Sequence, residues 1–226
     1  MLKNIGRLVV VLNLPFLAYG FGVAAYTAVT PFDHLSLRSP RFLAFAVGFA
    51  GFALLWVCFK RHLEVFCTFE HELTHLLVGL LFLRIPYSFV VTRDRGYVEH
   101  SGRSNFLITL SPYFLPTITY LLIPLAWIIP AKFVLTYAAV LAATVAYHLL
   151  STKRELFTTQ PDLQRAGLLF SSAFLPVANF AFFGGAIAMG IAGTASFVGF
   201  WVQGATESWN LYRTVYFSLA ASIPSS

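Results

Sequence analysis

Charge is what this chain has least of. Asp, Glu, Lys and Arg make up 11% of its 226 residues, against 58% hydrophobic residues and a mean hydropathy of +0.75. A soluble domain carries about 25% charged residues. Polar stretches long enough to fold on their own are also lacking, which excludes a separate soluble domain. Cysteine is nearly absent. The two present, Cys58 and Cys67, fall within or beside apolar segments, so they read as packing residues rather than a disulfide or a metal pair. The net charge of +6 is spread over short loops, where Lys and Arg mark topology, and it does not form a nucleic-acid footprint.

What the chain does have is apolar runs that reach the roughly 20 residues needed to cross a hydrocarbon core. The expected fold is an all-α polytopic membrane protein with about six transmembrane helices, forming one integral domain over residues 1–226. Its partner is the lipid bilayer, and its expected location is a bacterial-type inner or cell membrane. The first two spans, Leu8–Val29 and Phe42–Phe59, occupy residues 1–62. The first run follows Lys3 and Arg7, as a signal peptide would, but it is long for one and reads as a retained helix. Thr30 to Arg41 reads as a polar loop containing Pro31 and Asp33.

The third span is Leu63–Leu83. After it, Tyr87–Thr92 and Tyr97–Ser101 flank the turn-forming group Arg93-Asp94-Arg95-Gly96, which predicts a β-hairpin over residues 87–101. A fourth span, Phe106–Ile129, contains Ser111-Pro112 and Pro116, so a kink or break is expected. Ala131–Leu150 and Gly167–Ala192 are the fifth and sixth spans, separated by the polar loop STKRELFTTQPDLQ. The tail, residues 193–226, reads as an interfacial helix or a weakly hydrophobic seventh span.

Six crossings put alternate loops on opposite sides. The larger basic set (Arg38, Arg41, Arg84, Arg93, Arg95, Arg103, Lys153, Arg154, Arg165) is then cytoplasmic, together with the hairpin. The smaller set (Lys3, Arg7, Lys60, Arg61, Lys132) lies outside with the N-terminus, although Lys3 and Arg7 themselves argue the other way.

Within the third span lies FEHELTHLLVG, Phe69–Gly79. His71-Glu72-Leu73-Thr74-His75 is an HExxH motif. Residues four apart share a helix face, so both imidazoles can bind one metal ion. Zinc in such a site keeps an open position, acidifies a bound water and polarises a carbonyl. Glu72, beside the first ligand, can take the water's proton and pass it to a leaving amine. The bland reading is a chance match in a polar cluster. Against it stands the insertion cost of Glu64, Glu70 and Glu72 in one apolar span, on the order of 8–10 kcal/mol before compensation. Glu64 reads as an end-of-helix acid, and Glu70 as a residue that steadies a ligand or lines the cavity.

A third ligand is required. Candidates downstream are Asp94, Glu99, His100, His148, Glu155 and Asp162. Val78 stands where a metzincin would have Gly, and Phe82 is near where its third His would be, so that class fails. Lys153 and Arg154 make Glu155 look solvated. Asp162 follows Pro161 at the expected start of the sixth span, next to the polar group Thr158-Thr159-Gln160, and is favoured over the runner-up His148. Asp162 has its own plain reading, as a helix-start acid facing the dipole.

On these residues the chain resembles the site-2 protease family of intramembrane zinc metallopeptidases. The matching features are FEHELTHLLVGLLF in a span, Gln160-Pro161-Asp162 near a later one, and a hairpin between, together covering residues 63–192. The resemblance implies a zinc-dependent endopeptidase acting on membrane proteins or membrane-associated peptides. It implies His71, His75 and Asp162 as zinc ligands, Glu72 as general base, and a hairpin that pairs with an unwound substrate strand. The chain departs from the family pattern in having Asp162-Leu163 rather than Asp-Gly, and in having no PDZ domain. The alternative is a non-catalytic membrane protein with a structural or transport metal site, or an HExxH protease with a Glu ligand. A membrane di-iron oxidase would need more than six histidines and paired boxes.

Overall fold

The computed structural model describes residues 2–29, 38–92, 95–156 and 160–221. The chain is mainly helical, with one two-stranded sheet. In order the elements are α1 (Leu2–Val29), α2 (Pro40–Phe59), α3 (Glu64–Leu81), β1 (Pro86–Val91), β2 (Gly96–His100), α4 (Phe106–Leu110), α5 (Thr117–Leu122), α6 (Val134–Glu155), α7 (Pro161–Ala166), α8 (Leu168–Ala192) and α9 (Thr194–Ala221). Single 3₁₀ turns at Ser111–Tyr113, Ile123–Trp127 and Ala131–Phe133 join some of them. Residues 30–37 of the expected loop Thr30–Arg41, the turn residues Arg93 and Asp94, and Thr158 and Thr159 lie outside the described residues, and Pro40 and Arg41 belong to α2.

Four helical segments are long and apolar enough to cross a membrane: Ile5–Ala28, Pro40–Phe59, Ala131–Glu155 and Leu168–Ala192. A fifth is formed if Phe106–Tyr113 and Thr117–Trp127, bent by 90° at their junction, count as one. The break falls where Pro112 and Pro116 remove main-chain donors, as their positions predict. Within the tail, Thr194–Ala221 form a 28-residue helix, α9, packed on α1. The two run antiparallel: Phe16 meets Tyr212, Phe21 meets Phe200 and Trp201, and Thr27 donates its hydroxyl to Gln203 Oε1 at 2.6 Å. Gln203 therefore has an internal partner rather than facing lipid.

The helix pair α2 and α6 runs parallel, Gly48 lying on the Ala139 main chain and Trp56 on Tyr147. Ser39 caps α2 by accepting from the Phe42 amide, with Pro40 at the first helical position. At the same end, Arg41 donates to the carbonyls of Met189 (2.9 Å) and Gly190 (3.0 Å), satisfying the C-terminus of α8.

These pairings define two ends of the bundle. One holds the start of α1, the end of α2, the end of α6, α7 and the start of α8. The other holds Ser39, Arg41, the start of α6 and the end of α8. Both ends of α3 lie at the first. Glu64 pairs with Arg154 at 3.1 Å, and Arg84, just beyond α3, lines a pocket with Arg7 and Arg165. The alternating-loop scheme, which put Arg7 and the hairpin on opposite sides, is thereby corrected. Arg7 Nη2 donates to the Arg165 carbonyl at 3.3 Å. The physical reason is that α3, with three glutamates in 18 residues, does not run from one end of the bundle to the other.

The hairpin forms one residue earlier than the periodicity predicts. Its register is Val91↔Gly96, Val90↔Tyr97, Phe89↔Val98, Ser88↔Glu99 and Pro86↔His100, with a bulge between Pro86 and Ser88. It lies along α3: Phe89 packs edge-on to Phe69, and Gly96 sits against Thr68 and Glu72. Both cysteines are free. Cys67 is buried beside Trp56 and Tyr147, as a packing residue should be, whereas Cys58 is on the exposed face of α2.

Candidate metal centre

The helix α3 carries its polar residues on a buried face: Glu70, Glu72, Thr74 and His75 are all inside, and His71 is nearly so. Thr74 donates to the Glu70 carbonyl at 2.8 Å, and its hydroxyl meets that of Thr117, tying α3 to the start of α5. One turn apart on this face, the His71 and His75 rings lie 4.9 Å between centroids.

Asp162 arrives from α7. Pro161 occupies the first helical position, and the helix ends after Ala166 at Gly167, where φ is +93°. Asp162 was expected at the start of the sixth span. It stands instead on a separate short helix, turned away from α8 by a conformation that only glycine adopts without strain. That turn brings Asp162 Oδ2 to 3.4 Å from His71 Nε2 and 3.2 Å from His75 Nε2. One ligand atom from each of His71, His75 and Asp162 lies within 4.8 Å of the others.

The outer ring nitrogens fix the proton positions of the two imidazoles. His75 Nδ1 is 2.8 Å from the Ile108 carbonyl, which can only accept, so Nδ1 carries the proton. His71 Nδ1 is 2.9 Å from Glu155 Oε2, a carboxylate oxygen, and donates likewise. In the neutral rings both Nε2 atoms are then bare lone pairs, directed at a carboxylate oxygen. Three acceptors facing one another are stable only around a cation or added protons. Two imidazoles and a carboxylate, each imidazole oriented by an outer acceptor, match a borderline metal such as zinc. The donor set therefore fits the metal that the motif implies.

The other sequence candidates resolve differently. Glu155 does not join the cluster but holds His71. It lies on the last turn of α6, not in a loop, because the helix continues through Ser151–Glu155 with Lys153 and Arg154 against its negative end. His148, the runner-up ligand, is buried on the far side of α3, with Nδ1 3.7 Å from Glu70 Oε1. Glu70 thus faces α6 and neither steadies a ligand nor lines the cavity. Glu99 is exposed on the hairpin. Asp94 lies outside the described residues.

The cluster opens into a cleft of about 470 Å³. Glu72, 7% exposed, lines it. Among the described residues its carboxylate forms no hydrogen bond or ion pair, so its lone pairs are available to the cleft. The opposite wall is β2, from Gly96 to His100, and Thr109 and Arg165 complete the rim. His100 packs its ring against Gly79 on α3, and burial pulls its pKa below the usual histidine value, favouring the neutral ring. Two contributors escaped the sequence. Tyr113, fully buried, sets its ring edge-on to His71 at 5.4 Å, and Ile108 supplies a main-chain carbonyl. A backbone acceptor leaves no mark in a sequence. Tyr113 is marked only by the Ser-Pro break that aims it.

No family model matches the chain, and neither a curated protein nor a solved structure shows a match to it.

Proposed function

We propose that the chain is a zinc-dependent endopeptidase embedded in a membrane, of the site-2 protease type, cutting transmembrane or membrane-associated polypeptides. The observation that carries this reading is the convergence of His71 Nε2, His75 Nε2 and an Asp162 oxygen while both Nδ1 atoms donate outward. Zinc bound there would act as a Lewis acid, acidifying a water and polarising the scissile carbonyl. The rest belongs to the chain's own groups. Glu72 accepts a proton as the water oxygen attacks the carbonyl carbon, then delivers it to the amine nitrogen as the C–N bond breaks. His71 and His75 are held by Glu155 and Ile108, so the ligand geometry costs no rearrangement during the reaction. An extended substrate segment lying in the cleft would run beside β2, where edge pairing can hold it straight.

The membrane reading rests on the apolar helices and on where the basic residues fall. Arg7, Lys60, Arg61, Arg84, Arg95, Arg103, Lys153, Arg154 and Arg165 belong to the end that bears the cleft, whereas Arg38, Arg41 and Lys132 belong to the other. The positive-inside rule then puts the cleft at the cytoplasmic end.

The test is elemental analysis of the detergent-purified chain, wild type and variants, paired with cleavage of a membrane-anchored reporter peptide. We expect about one zinc per chain, kept in Glu72→Ala and lost in His71→Ala and Asp162→Ala, with cleavage lost in all three variants. A folded, metal-free wild type would refute the metal. Zinc present in a chain whose Glu72→Ala variant cleaves as well as wild type would refute the catalytic role and leave a structural or transport site.

A further inference from the structure

Beside the cleft, four arginines surround one pocket. It is formed by Gly6 and Arg7 of α1, Arg84 after α3, Arg103 to Phe106 leading into α4, and Arg165 of α7, and encloses about 640 Å³. Among the described residues, no acidic one lines it. Arg165 reaches Asp162 only at 3.7 Å, and Arg7 spends one donor on a main-chain carbonyl. Among the described residues Arg84 and Arg103 have no acidic partner. Arg84 folds over Gly102 with its Nε buried and unbonded. Four guanidinium groups with Asp162, 3.7 Å from Arg165, as counter-charge keep a net positive charge and repel one another, and a buried N–H left unpaired costs more than a hydrogen bond returns. Ser104, Asn105 and Thr109 add small polar groups to the wall. Such a site is built to hold an anion with several oxygens.

Its position says which anion. Arg7 and Arg165 stand at the starts of two of the four apolar segments, Ile5–Ala28 and Leu168–Ala192. Arg7 also lies over the Phe170 ring at 5.7 Å, which joins the two helices beside the pocket. Running away from it are outward-facing apolar side chains: Ile5, Leu8 and Leu12 on α1, and Leu168 and Leu169 on α8, the last 86% exposed. A charged pocket at the head of an apolar face has the form of an amphiphile with a phosphate head and acyl tails. A soluble phosphate would use the arginines and leave the apolar face uncovered.

We propose that this pocket binds the phosphate headgroup of an anionic phospholipid, whose acyl chains lie along α1 and α8. The site is distinct from the metal cluster and holds whether or not the cluster is catalytic. Through Arg165 it adjoins Asp162, so the bound lipid fixes the rim of the cleft.

The experiment is native mass spectrometry of the full chain in detergent, offered phosphatidylglycerol, phosphatidylcholine or inorganic phosphate. The wild type should retain phosphatidylglycerol about tenfold better than phosphatidylcholine, and Arg84→Gln with Arg103→Gln should remove that preference. Arg103 is exposed, so Arg103→Gln alone tests the site without disturbing the fold and should show a partial loss. Lys60→Gln with Arg61→Gln, at the same end but outside the pocket, should leave retention unchanged. Equal loss in that control would reduce the effect to general surface charge and overturn the site. Equal retention of both lipids, or inorganic phosphate binding that phosphatidylglycerol does not displace, would overturn the lipid assignment.

Discussion

Arg7 donates from its guanidinium to the main-chain carbonyl of Arg165, 3.3 Å away, and so fastens the start of α1 to the helix that carries Asp162. The start of α1 and the hairpin therefore lie at one end of the bundle, and the proposed membrane reading puts them on one side of the bilayer. Single cysteines at Ile5, Ser88 and Ala131, in a chain with Cys58 and Cys67 replaced by Ser, would be labelled in intact cells with an impermeant maleimide. Ile5→Cys and Ser88→Cys should react alike, from the cytoplasmic side, and Ala131→Cys from the opposite side. Labelling of Ile5→Cys and Ala131→Cys from the same side would restore the alternating-loop scheme.

Glu155 holds His71 and stands outside the His71–His75–Asp162 cluster. Its carboxylate accepts from His71 Nδ1 at 2.9 Å, on the side of the ring facing away from Asp162. Outer-shell acceptors of this kind are worth about 10–100-fold in metal affinity. Glu155→Gln should weaken zinc binding by about that factor, measured by chelator competition, while Asp162→Ala abolishes stoichiometric binding. If the two variants lose metal equally, Glu155 belongs among the ligands.

Much of this centre was legible because helical spacing is a strong constraint. The motif fixes His71 and His75 on one face once the segment is helical, with Glu72 beside the first of them, and Pro161-Asp162 marks a helix start. The hairpin followed from β-branched and aromatic residues around a turn group. What the sequence hid was long-range geometry. Hydrophobicity does not say that α3 stays at one end of the bundle, and it cannot show that Glu70 faces His148 on α6 instead of the His71–His75–Asp162 cluster. Glu155 looked solvated because its neighbours Lys153 and Arg154 are charged. Yet consecutive residues on a helix point about 100° apart, so a polar neighbour says little about where a given side chain faces. The tail helix α9 was equivocal for a related reason: Gln203 looks unfit for a bilayer until Thr27 is known to lie opposite it.

The contact between α3 and the hairpin depends on Gly79. A Cβ there would enter the His100 imidazole ring. Gly79→Ala should push β2 off α3 at a cost of about 1–3 kcal/mol, seen as a lowered melting temperature. It should lower cleavage more than zinc content, because His71, His75 and Asp162 all lie outside the hairpin. Adding His100→Ala removes the clash and should recover most of the stability. A double variant no more stable than Gly79→Ala would mean that the two residues do not meet.

The break at Gly167 decides where Asp162 points. With φ at +93°, this residue lets α7 leave the line of α8 and bring its first turn to the histidines. An L side chain held in such a conformation costs about 1–3 kcal/mol. Gly167→Ala should therefore be less stable by that amount, or should relieve the strain by straightening the junction and withdrawing Asp162. The two outcomes separate in one pair of measurements. Strain retained lowers the melting temperature with zinc affinity intact. Strain relieved keeps the melting temperature and lowers zinc affinity toward that of Asp162→Ala. A variant unchanged in both would show that the junction does not need glycine, and that Asp162 is positioned by its contacts with His71 and His75 alone.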